Sequence, residues 1–165
     1  MKKNNSIIIG SGVIGGYLAK LLLSKKQKVI VTSRRAKKSY TNYSKLNIEN
    51  KIIFEELDVL KKEDILKLLK KYTPKNIFYF SGQSSLTKSI KLKKITNDSN
   101  YIGAKKILEI LHKYELKTNF YKANSGYIFE PNKGLVNIKS KISKNKNPYI
   151  QSQIKAYKEV KTFRK

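Results

Sequence analysis

One short stretch near the start of the chain restricts the fold more than any other feature. It is Gly10-Ser11-Gly12-Val13-Ile14-Gly15, a G-x-G-x-x-G. It follows the apolar run Ser6-Ile7-Ile8-Ile9, which reads as a buried strand halted by glycine. It opens Val13 to Lys26, where Val13, Ile14, Tyr17, Leu18, Leu21 and Leu22 recur at helical spacing and Lys25 and Lys26 close the helix at its negative end. Strand, glycine turn and helix in that order make a dinucleotide-binding turn. Gly10 permits the tight turn, Gly12 lets backbone approach a diphosphate, and Gly15 lets the helix pack closely on the sheet. The loop and the first helical turn, through Ser11, Val13 and Ile14, then present N–H groups to the phosphates.

The remainder alternates in the same way. Strands are predicted at Lys28 to Ser33, Lys51 to Asp58, Asn76 to Ser81 and Thr118 to Ala123, and helices at Lys62 to Tyr72, Thr96 to Tyr114 and Pro148 to Lys165. Between them lie a polar irregular stretch from Arg34 to Asn50, a loop and helix start from Gly82 to Lys94, and a lysine-rich loop from Tyr127 to Asn147. Strands alternating with helices specify an α/β doubly wound parallel sheet, the Rossmann fold, occupying residues 1–165 as one domain.

The second strand ends in Ser33-Arg34-Arg35, and no acidic residue occurs before Glu49. A dinucleotide with a free 2′-hydroxyl is usually held by an Asp or Glu ~20 residues beyond the glycines. Arg34 and Arg35 suit a 2′-phosphate instead, so NADP is favoured over NAD. Asp58, ending the third strand, can accept from an adenine amino group or cap the helix that follows.

Composition narrows the chemistry. There is no cysteine, and His112 is the one histidine, which excludes disulfides, zinc–cysteine sites and a cysteine nucleophile and leaves little for a Ser-His-Asp triad or a metal site. The 37 basic against 11 acidic residues give +26, but the lysines are spread along the whole chain with no recognisable nucleic-acid module. The charge therefore reads as compositional, with weak, salt-sensitive attraction to polyanions and no specific nucleic-acid partner. No apolar run approaches a membrane span, and a cytoplasmic protein without a membrane partner is expected.

Six motifs, in order on the right elements, resemble the extended short-chain dehydrogenase/reductases, and most of all GDP-mannose 4,6-dehydratase and its nucleotide-sugar relatives. They are Arg34-Arg35, Leu57-Asp58 with Val59 beside it, Tyr79-Phe80-Ser81-Gly82-Gln83-Ser84-Ser85, Asn100-Tyr101-Ile102-Gly103-Ala104, Lys122-Ala123-Asn124-Ser125 and Asn147-Pro148-Tyr149. The resemblance implies a cofactor site that includes Asp58, Val59, Ser81, Gly82, Gln83 and Asn100, and a catalytic set of Ser125, Tyr149 and Gln153. It also implies a nucleotide-sugar substrate, transient oxidation at C4, a homo-oligomer, and a chain truncated before the family's later strands and substrate domain.

Two positions depart from that pattern. The family places Lys four residues after the catalytic Tyr, where its charge helps the phenol ionise; here that position is Gln153. The dehydratases place Glu two residues after the Ser/Thr; here it is Tyr127. Tyr157 and Lys161 offer the Tyr-x-x-x-Lys spacing in a second register. Three readings follow: an NADP-dependent dehydratase or epimerase with impaired catalysis, a non-catalytic NADP-binding protein, and, ranked last, a basic nucleic-acid-associated domain.

Overall fold

A computed structural model describes residues 4–34 and 41–164. Five strands, β1 (Asn5–Ile9), β2 (Lys28–Ser33), β3 (Ile53–Glu56), β4 (Asn76–Tyr79) and β5 (Asn119–Lys122), form one sheet in the order β3-β2-β1-β4-β5. Every pairing is parallel, with Ile7 opposite Ile30 on one side and Ile77 on the other. This is the doubly wound arrangement expected from the alternation. The strand order reverses between β1 and β4, the switch point beyond whose carboxyl ends ligands bind in such sheets.

The central strands are apolar on both faces because helices cover both. On one face Ile7, Ile9, Ile77 and Tyr79 pack against α3 (Lys62–Tyr72) and α6 (Gly103–Lys113), through Ile65, Leu68, Leu69, Ile107, Ile110 and Leu111. On the other face Ile8, Val29 and Val31 meet α1 (Val13–Ser24) and Tyr43 of α2 (Thr41–Lys45). Each fully buried Ile or Leu is worth roughly 1.5–3 kcal/mol in apolar transfer.

The buried face of α1 differs from the one its periodicity suggests. Gly15, Gly16, Ala19 and Leu22 are buried, whereas Val13, Ile14, Tyr17 and Leu21 are 58%, 68%, 63% and 55% exposed. Small residues let the helix axis sit close to β1: a Cβ on Gly15 would lie 2.7 Å from the Gly10 carbonyl oxygen. The larger side chains then fall outside the contact.

The stretch read as a loop leading into one long helix is more articulated. It contains α4 (Leu86–Lys91) and α5 (Lys93–Asn97), then a π-helical turn over Asp98–Ile102 that passes into α6. The last helix, α7 (Pro148–Thr162), begins with Asn147 accepting from the Tyr149 N–H at 2.9 Å and proline in its first turn. It shares a third apolar cluster with Ile128, Phe129 and Ile142.

Candidate functional site

The carboxyl ends of four strands surround an open cleft of about 800 Å³. Gly10, Ser11 and Gly12 follow β1, Ser33 and Arg34 end β2, Leu57 to Leu60 follow β3, and Phe80, Ser81 and Gly82 follow β4. These segments are far apart in sequence; parallel strands in register bring their ends together.

Gly10 adopts φ +106°, and its N–H donates to the Thr32 carbonyl at 3.0 Å. A Cβ there would meet the Ser81 nitrogen at 2.7 Å and the Phe80 carbonyl carbon at 2.9 Å. Gly12 has open space where its Cβ would stand and is itself the N-cap of α1, so no side chain caps that helix. The first-turn N–H groups of α1 are therefore presented to the cleft side without a competing cap. Thr32 Oγ1, also on the cleft wall, is buried with no hydrogen-bond partner. An exposed guanidinium at Arg34, an uncapped helix end and an open glycine suit an anionic ligand. Arg35 lies outside the described residues.

Asp58 lines the cleft, and its Oδ1 accepts from the Leu60 N–H at 3.0 Å. The carboxylate thus holds a turn, while Lys61, the N-cap of α3, makes no side-chain capping bond. Val59, a cleft residue too, packs so tightly that a Cβ on Gly103 would lie 2.5 Å from it.

Gln83 and Asn100 stand behind this wall rather than on it. The Gln83 side chain accepts from the Ser85 N–H and donates to the Ser85 carbonyl at 2.9 Å and to Thr96 Oγ1 at 3.2 Å. Asn100, fully buried in the π-helical turn, donates to the Gln83 carbonyl and to Ser152 Oγ, each at 3.0 Å. Its Oδ1 has no partner and fills the place a Cβ on Gly82 would need. Asn100 ties the loop after β4 to α7.

Past β5, Ser125 Oγ accepts from the Tyr127 N–H at 3.2 Å, capping a short 3-10 turn, and Tyr127 is exposed. Tyr149 and Gln153 lie one turn apart on one face of α7. Tyr149 is half-buried against the cluster around Ile128, and Gln153 is buried. Tyr157 packs its ring edge-on to Phe129 at 5.7 Å, a packing contact, and Lys161 is exposed.

Lys122 stands in the motif that ends β5, but none of the sequence-based expectations assigns it a role. Its Nζ donates to Gln153 Oε1 at 3.1 Å and to the Ala123 carbonyl at 2.6 Å. Burial lowers its pKa to about 8. The groups facing it are Tyr79 of β4, whose ring centroid is 5.7 Å away and whose phenol burial pushes far up, and neutral Gln153 of α7. The alternation of β5 was a usable signal, since Phe120 and Lys122 share one face and Phe120 packs on the core.

A stability prediction follows. Between pH 8 and the ordinary lysine value the unfolded chain still holds the proton that folded Lys122 has released, so this group makes stability rise with pH across that window. Below pH 8 the full cost of the buried charge remains. Lys122→Met is expected to raise stability at pH 7 by about 1–3 kcal/mol and to flatten the rise above pH 8. Urea unfolding of both proteins from pH 6 to 10 measures this; identical pH slopes would refute it.

A family model described as GDP-mannose 4,6 dehydratase matches residues 7–165, nearly the whole chain. The chain belongs to the GDP-mannose 4,6-dehydratase family. Its relatives in that family and around it include the CDP-paratose 2-epimerase of Salmonella typhi, 27% identical over 73% of this chain and 36% of that one. The GDP-mannose 4,6-dehydratase of Vibrio cholerae is 26% identical over 78% of this chain and 37% of that one. The chain thus spans little more than a third of these relatives' length. Among solved structures, the UDP-glucose 4-epimerase of Brucella ovis in complex with NAD superposes with a TM-score of 0.83 at 18% identity, over 97% of this chain and 47% of that one. The UDP-Glc/GlcNAc 4-epimerase of Campylobacter jejuni gives 0.84 at 17%, over 97% and 49%. These agreements establish the extended short-chain dehydrogenase/reductase fold, and in it the glycine turn, Arg34, Leu57 to Val59 and Phe80 to Gly82 stand at the strand ends that form the cleft.

Proposed function

We propose that this chain is the dinucleotide-holding part of an NADP-dependent nucleotide-sugar epimerase or dehydratase that works by transient oxidation at C4 of the sugar. The observation that carries the reading is the cleft itself, where an uncapped α1 end and an open glycine stand across from Arg34. Family membership and relatives named for CDP-paratose and GDP-mannose support the substrate class.

In this reading Gly10, Ser11, Gly12, Val13 and Ile14 hold the diphosphate through backbone N–H groups. Arg34, with Arg35, pairs with the 2′-phosphate. Asp58 and Val59 hold the adenine, and Ser81 and Gly82 line the path toward the reacting end. The bound dinucleotide supplies reversible hydride acceptance. Tyr149 takes the proton of the C4 hydroxyl and later returns it, and Ser125 donates a hydrogen bond to the same oxygen. Gln153 orients the ligand through its amide. No carboxylate stands at Tyr127 to remove a C5 proton, which favours epimerisation over loss of water.

Titration of the protein with NADPH and NADH, followed by incubation with NADP+ and GDP-, CDP- and UDP-sugars, tests this. The expected results are at least about tenfold tighter binding of NADPH, as one charge-assisted contact gives, and a 4-keto or epimerised product. Gln153 in place of a cation favours the second reading, a binding protein without turnover, for which NADPH binds and no sugar nucleotide changes. No binding of either dinucleotide sinks both.

A further inference from the structure

Lys122 is a cation in an unusual place. Phe120 fixes the face of β5 that looks toward α6 and α7, and Lys122 projects from the same face at the strand's carboxyl end. Among the described residues no carboxylate lies within ion-pair distance of it. A half-buried ammonium without a counter-ion is costly, and an apolar residue would fill this position more favourably. Its two hydrogen-bond partners are the carbonyl of Ala123 and the side chain of Gln153. Gln153 in turn accepts from Lys122 through its side-chain oxygen, and its amide nitrogen donates to no described residue. The amide is thereby fixed in one orientation, since the reversed one would set NH2 against NH3+. Its free N–H groups are left for a ligand, on the α7 face that carries Tyr149.

We propose that Lys122 and Gln153 act as one unit, in which β5 supplies the positive charge of the reactive end and α7 supplies the aimed donor that takes hold of a ligand hydroxyl. The proposal rests on the dinucleotide reading above, because the ribose beside the reacting ring of that cofactor is the hydroxyl-bearing group it addresses. It makes Lys122 a positioning residue: it acts through Gln153. It also explains why an amide is accommodated at position 153. A lysine there would set a second ammonium against the first, so the charge can come from the strand or from the helix, but not from both.

A double-mutant cycle with Lys122→Met and Gln153→Lys tests this on the full chain, with thermal unfolding at pH 7 and NADPH affinity by fluorescence as readouts. Lys122→Met alone should weaken NADPH binding on the order of tenfold while the midpoint rises. Gln153→Lys alone should lower the midpoint and also weaken binding, through repulsion between neighbouring ammonium groups. The double variant should recover binding to within a few-fold of the parent, because the ammonium has moved from strand to helix, and its midpoint should exceed the sum of the single effects. Additive midpoints would show that the two side chains do not share one site and would overturn the pairing, whether or not a dinucleotide binds. Unchanged NADPH affinity in Lys122→Met, in a protein that does bind NADPH, would overturn the positioning role and leave the functional reading standing. A parent protein that binds neither dinucleotide would overturn both. Should Gln153→Lys fail to fold alone but fold with Lys122→Met, that rescue is the expected coupling in its strongest form.

Discussion

Replacing Gly10 by alanine is expected to lower the unfolding midpoint by roughly 10 °C. Two costs add. The residue sits at φ +106°, where an L side chain is strained by about 1–3 kcal/mol. The new Cβ would also stand 2.7 Å from the Ser81 nitrogen and 2.9 Å from the Phe80 carbonyl carbon, both backbone atoms that cannot swing aside. Prising the ends of β1 and β4 apart costs a further ~1–3 kcal/mol. For a domain of this size each kcal/mol moves the midpoint by about 2–4 °C. Gly12 provides the contrast. A Cβ there meets nothing within 4 Å, and the residue has the ordinary φ of −70°. Gly12→Ala should therefore cost less than about 1 kcal/mol of stability yet abolish NADPH binding, because its methyl group stands where the backbone must approach phosphate. Circular-dichroism melts and NADPH titrations of both variants separate the roles. A Gly10→Ala protein melting within 2 °C of the parent would disprove the close approach of the two strand ends.

The second large effect concerns the choice of dinucleotide. Arg34→Ala should weaken NADPH binding by about 10–100-fold, the worth of one charge-assisted contact to phosphate, and leave NADH affinity within a few-fold of the parent. Arg34 is exposed and lines the cleft across from the glycine turn, so its removal disturbs no packing. The effect should shrink as salt rises, as expected for an open ion contact. Pairing it with Arg35→Ala removes both guanidinium groups. If the double variant keeps the parent's ratio of NADPH to NADH affinity, the chain does not read the 2′-phosphate, and the reading shifts to NAD, the ligand of the Brucella ovis epimerase complex.

Several parts of the site were legible without coordinates. A G-x-G-x-x-G framed by a strand and a helix already implies a positive φ at Gly10 and close packing at Gly15, because those demands are local to a few residues. The strand ends carrying Arg34, Asp58 and Ser81 were also readable, since a strand's end is marked by the turn residues after it. Other parts were not. The helical period of α1 pointed to Val13, Ile14, Tyr17, Leu18, Leu21 and Leu22; Leu22 and Leu18 do pack on the core, but the close approach to β1 is made at Gly15, and the other four are exposed. Period-based reading weights hydrophobic size, whereas the helix seats itself where side chains are smallest. That Gln83 and Asn100 also brace the loop after β4 was not readable, because it depends on how α7 packs on the π-helical turn, with 52 residues separating Asn100 from its partner Ser152.

The amino-acid order alone decided the class of fold, the tight glycine turn after β1 and the absence of a cation at position 153. These depend on interactions within one turn of helix or one strand end, where spacing along the chain is spacing in space. Only the tertiary structure decided that Lys122 brings an ammonium to Gln153, because that contact joins a strand to a helix 31 residues later. The alternation of β5 tells only which face Lys122 takes; that Gln153 meets it there comes from strand register and helix docking, which spacing along the chain does not encode.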